Sequence, residues 1–186
     1  MGRSYRQLSL LVCVLLWVAA ASAAPATVFE DEANFLAAVS NPSLIDFEGI
    51  AEPGTPEYLG NPGFFSSVDI LILNNSQMFI QDADAIYGSG AVLSPQGANP
   101  QIIQIVLPAS ATGFGFSYSY ANYGSGSASA NVNVSGEFAI PPEPPGSLGF
   151  FGITRDTAIG VVTLTVDGSA IDIEDRKSVV WGGGGG

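Results

Sequence analysis

From about residue 44 onward, apolar and polar residues alternate in short runs separated by Gly, Pro, Asn and Ser. The clearest run is Phe114, Phe116, Tyr118 and Tyr120, interleaved with Gly115, Ser117 and Ser119. Successive side chains of a strand point to opposite faces, so these four rings share one face. Val162, Leu164 and Val166 repeat at the same period, whereas Ile102, Ile103, Ile105 and Val106 run almost continuously, as in a central strand. The pattern predicts strands over 44–48, 68–73, 77–80, 101–107, 113–120, 127–134, 148–153, 160–166 and 170–174. Asn74-Asn75-Ser76 turns the second of these back on the third. A single helix is predicted ahead of the first strand. Glu30-Asp31-Glu32 places acid where the helix dipole favours it, Phe29, Leu36 and Val39 supply an apolar face, and Asn41-Pro42 ends the run.

No fixed-period repeat is present, and the Pro/Gly-rich stretches 52–63 and 141–146 are followed soon by strand-like sequence, so they read as loops. The expected fold is all-β: an antiparallel jelly-roll-like β-sandwich of at least eight strands with one short N-terminal helix. Its core should contain Phe47, Ile103, Ile105, Phe114, Phe116, Phe151, Val162 and Leu164.

The two ends follow different rules. Residues 1–23 read as a secretory signal peptide, with Arg3 and Arg6, an apolar run over 8–20 and the small-residue site Ala21-Ser22-Ala23. The run is too short for a membrane span, and Cys13 lies inside it. Residues 24–174 form a single sandwich domain, long enough to bury roughly 68–70% of its unfolded surface. Residues 175–186, Asp175-Arg176-Lys177-Ser178-Val179-Val180-Trp181 and five glycines, show no turn, strand or linker logic. Their back-translation matches a widely used sequencing adapter, so they are read as a non-native tail.

Charge and missing residue types then narrow the chemistry. Residues 24–174 hold sixteen carboxylates against the one guanidinium of Arg155, and no Cys, His or Lys. Such acidity repels phosphate backbones and anionic lipid, so neither nucleic acid nor a lipid surface is an expected partner. Ser-His and Cys-His nucleophile systems lack their parts, and no Gly-Lys-Ser/Thr phosphate loop occurs. Export without disulfides leaves stability to the core and fits a bacterial source. Secretion or display at the cell surface follows, with no membrane span within 24–174. Asn74-Asn75-Ser76 and Asn133-Val134-Ser135 are then chance sequons.

Several segments resemble the ectodomains of bacterial PEP-CTERM sorting-domain proteins. These are Phe35-Leu36-Ala37-Ala38 followed by Ile45-Asp46-Phe47-Glu48-Gly49-Ile50, then Leu107-Pro108 with Ala111-Thr112-Gly113-Phe114-Gly115-Phe116. Leu148-Gly149-Phe150-Phe151-Gly152-Ile153-Thr154 with Asp156 and Ile159, and the closing Ala170-Ile171-Asp172-Ile173, continue the likeness in order. The resemblance implies an extracellular or surface-destined β-sandwich, frequently without assigned activity, associated with envelope and exopolysaccharide biology. The defining tail of that group, a Pro-Glu-Pro motif with an apolar span and a basic end, is expected beyond residue 174. Pro142-Glu143-Pro144 is only an echo of it, since a strand follows.

Three constellations could carry chemistry. Asp46 and Glu48 share a strand face by period two, and Asp172 lies on the last strand. Resemblance to galactose-binding-like jelly rolls implies a structural calcium between those strands, held by hard oxygen ligands; solvated surface acids are the plainer alternative. Asp82-Ala83-Asp84 lacks the glycine and the final glutamate of a calcium loop and reads as a turn. Tyr118, Tyr120, Asn122 and Tyr123 could form a platform for an extracellular polysaccharide, against the alternative that the rings fill the core. Glu48, Glu137 and Glu143 are the acids available to a carboxylate-pair glycosidase, but no motif links them. The favoured function is a non-catalytic exported envelope or matrix domain that contacts carbohydrate. The alternative is a purely structural or adhesive surface protein without a small ligand, with glycoside hydrolysis a distant third.

Overall fold

The structure is a computed structural model and describes residues 25–45, 57–59, 63–65, 68–73, 77–82, 91–96, 100–121, 129–134, 136–144, 147–167, 170–174 and 179–183. Residues 1–23, read as a signal peptide, the turns expected at Asn74-Asn75-Ser76 and at Ala83-Asp84, and Asp46, Phe47, Glu48, Asn122 and Tyr123 lie outside them.

The first described elements are a strand, β1 (Ala26–Phe29), and only then the helix α1 (Glu32–Ala38). The expected order of helix before any strand is thus corrected. β1 has four residues, and among the described residues it pairs only with a strand far along the chain, so nothing local announces it. Asp31 caps α1, its Oδ1 accepting from the Asn34 amide at 2.8 Å. This satisfies one of the donors a helix start leaves free. Val39 turns the chain out of the helix, and Asn41 takes a φ of 50°, a left-handed setting that asparagine tolerates better than most residues. Strand β2 (Ser40–Ile45) therefore begins at the point where the sequence suggested only a stop. Its Pro42 falls at the register shift between Ser40 and Ser43, and among the described residues β2 pairs only with β15, the edge setting in which a strand accepts proline.

The remaining strands are β3 (Glu57–Leu59), β4 (Gly63–Phe65), β5 (Val68–Ile72), β6 (Gln77–Asp82), β7 (Ala91–Gln96), β8 (Gln101–Val106) and β9 (Ala111–Ala121). They continue with β10 (Ser129–Asn133), β11 (Glu137–Ile140), β12 (Gly149–Arg155), β13 (Val161–Asp167), β14 (Ala170–Glu174) and β15 (Val179–Gly183). Among the described residues one sheet runs β1-β12-β9-β14-β7-β6-β3, with β15 joining β9 to β2. The second runs β11-β10-β13-β8-β5-β4. Every pairing is antiparallel. The chain crosses from sheet to sheet at each step from β7 through β10 and again from β11 through β14, which is the jelly-roll habit. One edge of β9 is shared: β15 pairs with residues 111–115 and β14 with residues 117–121. A strand over 179–183 was not foreseen. Val-Val-Trp is nonetheless strongly β-prone sequence, and it lies alongside an edge that β14 leaves open.

The two sheets meet across one apolar core. The nine-stranded sheet contributes Phe114, Phe116, Tyr118, Phe151, Ile153, Ile171 and Ile173; the six-stranded sheet contributes Ile70, Ile103, Ile105, Val162, Leu164 and Val166. Of the eight core residues expected, the seven that are described are all buried. The period-two logic holds through the register, with Phe116 opposite Phe151 and Phe114 opposite Ile153.

The outer face of the larger sheet is built differently. Gly113 and Gly115 on β9 and Gly152 on β12 form a bare floor, Gly115 lying directly opposite Gly152. Phe35 of α1 lies on this floor beside Phe150 and Phe29, with ring centroids 5.5 and 5.7 Å away. A methyl group at Gly152 would sit 2.7 Å from Phe35 Cδ2 and 2.8 Å from Phe150 Cε1. Glycine here is a matter of space rather than of backbone freedom. Phe29, Leu36 and Val39, the face expected of the helix, ring this small second core, and Phe35 is its buried centre.

Candidate functional site

Where α1 begins, a cleft of about 410 Å³ opens against the start of β12. One wall is the chain entering the helix, Glu30, Asp31 and Glu32. The opposite wall is the loop before β12, with Pro141, Glu143 and Leu148, and the floor is Ser117 and Tyr118 of β9 with Gly149 and Phe150 of β12. Phe150 serves both structures: it packs against Phe35 in the second core and borders the cleft.

The loop wall is tied down by hydrogen bonds. Tyr118 Oη donates to the Pro141 carbonyl at 2.7 Å. Ser147 donates through its amide to the Pro144 carbonyl at 3.0 Å and through its hydroxyl to the same oxygen at 2.6 Å. The Ser147 hydroxyl also lies 3.4 Å from Glu143 Oε2, a long contact. Gly149 makes the close approach possible. A methyl group there would meet Glu143 Cγ and Tyr118 Cζ, each at 2.6 Å.

The electrostatic character is plain. Among the described residues four bearing carboxyl groups line the cleft and no Lys or Arg does. Arg155, the one cation of residues 24–174, is engaged elsewhere, its Nη1 donating to the Val134 carbonyl at 2.8 Å. Such a site repels anions and suits hydrogen-bond donors, because a carboxylate accepts stronger hydrogen bonds than a neutral oxygen does. Leu148, half exposed, and Phe150 and Pro141 give it an apolar side. Its volume falls within the ~300–1,000 Å³ of small-molecule clefts.

The residues singled out from sequence are distributed as follows. Tyr118 borders the cleft, but its ring is fully buried and packs 6.0 Å from that of Phe116. It offers no free ring face for stacking a sugar, which corrects that expectation for this residue; it holds the loop wall instead. Tyr120 stands opposite Ile171 on β9, while Asn122 and Tyr123 fall outside the described residues.

Asp172 is also buried, at 3% exposure, on the outer-face side of β14 between the core residues Ile171 and Ile173. Ser94 Oγ of β7 donates to its Oδ1 at 2.6 Å, and the buried Ser119 faces it across the β9 ladder. It is not an ordinary solvated surface acid. Its expected calcium partners, Asp46 and Glu48, lie outside the described residues, and among those described no three His, Cys, Asp or Glu come together to hold a metal.

Of the acids weighed for hydrolysis, Glu137 is exposed on β11 and Glu143 lines the cleft. Sequence reasoning missed the pairing of Glu30, Asp31 and Glu32 with Glu143. The first three read as acids favoured by the helix dipole and Glu143 as an acid of a proline-rich loop without a partner, and the β1–β12 pairing, which sets Phe29 opposite Gly152, brings them to the same end of β12. No helix among the described residues is long and apolar enough to cross a membrane. No protein-family model matches the chain, and none of the curated proteins does.

Proposed function

We propose that this chain is an exported, non-catalytic β-sandwich domain of the bacterial envelope or matrix that contacts carbohydrate through the carboxylate-lined cleft. The cleft carries the reading: an apolar side from Leu148, Phe150 and Pro141 opposes acids able to accept from sugar hydroxyls. Its charge favours neutral or amino sugars over uronic or sulfated ones. Export rests on residues 1–23, and the kinship with PEP-CTERM proteins on the segments quoted above. Gene sequence beyond residue 174 tests that kinship: a Pro-Glu-Pro motif, apolar span and basic end would support it.

The binding test is a glycan array of plant, bacterial and algal polysaccharides, followed by titration calorimetry. Binding to a neutral or amino-sugar glycan is expected. Glu143→Gln or Leu148→Ala should weaken it about tenfold or more, since a hydrogen bond to a charged group contributes ~1.5–3 kcal/mol. Silence across the array supports the purely structural or adhesive reading, and binding confined to anionic glycans overturns the cleft's role.

A structural calcium held by Asp46, Glu48 and Asp172 belongs to the same proposal, supported by the buried Asp172 carboxylate on β14. Binding to the native state alone stabilises it by ~2.7 kcal/mol at a hundredfold excess over Kd. Melting curves in millimolar calcium and in chelator should therefore separate, and Glu48→Gln should bring them together. Superimposable wild-type curves remove the ion.

A further inference from the structure

We draw no further inference here: the strongest candidate, the cluster of Glu30, Asp31, Glu32 and Glu143 at the entry to α1, belongs to the cleft already described.

Discussion

The two faces of the larger sheet solve one problem in opposite ways. Toward the smaller sheet, β9 and β12 present Phe114, Phe116, Phe151 and Ile153, and cohesion comes from bulk meeting bulk. Toward the helix the same two strands present Gly113, Gly115 and Gly152, and cohesion comes from one ring settling where side chains are missing. The inner face is therefore specified by what the strands carry, the outer face by what they lack. A ring resting on backbone has little room to adjust, whereas a broad core shares any disturbance among many neighbours. Damage should accordingly be large and general on the inside, smaller and local on the outside.

Removing the Phe116 ring is the strongest challenge on the inner side. Phe116→Ala should destabilise the domain by ~3–5 kcal/mol in denaturant unfolding, the range for deleting a buried phenylalanine. A loss under about 1 kcal/mol would mean that the sheets are not closely packed there. On the outer side, Gly152→Ala should cost ~1–3 kcal/mol by overpacking against Phe35 and Phe150. Pairing it with Phe35→Ala sharpens the contrast. In a double-mutant cycle the two changes should couple, since the lost ring makes room for the added methyl. Strict additivity would separate the floor from the helix. The smallest effect belongs to the cap: Asp31→Ala should cost ~1 kcal/mol. Its loss should be read first as faster amide exchange in α1, with the inner core protected as before.

Much of the fold was legible because strand period alone marks buried faces. Phe114, Phe116, Val162 and Leu164 could be assigned inward with no knowledge of partners, as could the antiparallel class. The elements that escaped depend on distant pairing. β1 has four residues and β3 three, and each is a strand only because β12 or β6 lies beside it. The glycines of β9 and β12 looked like gaps between aromatic residues, and nothing nearby says that Phe35 will occupy them. The cleft was legible only in fragments. Its acids come from positions more than a hundred residues apart, and their meeting is a property of sheet order rather than of any motif. Tyr118 read as either a sugar platform or a core ring, and Asp172 as either a calcium ligand or a solvated acid; the burial of both reflects what lies over the strand, which alternation does not report.

The pairing of Ala26 with Arg155 has a kinetic consequence. The first strand of the domain finds its partner only in the last third of the chain, and β12 itself pairs back with β9. Until β12 exists and has docked, residues 26–29 have no ladder to join, and Phe29 is not held beside Phe35. Such non-local pairing places a chain among slow folders, on the millisecond-to-second scale, because the entropy of closing long loops is lost before contacts compensate for it. The N-terminal strand, the helix behind it and the wall of the cleft should then assemble late. The cleft would be among the last parts of the molecule to take shape.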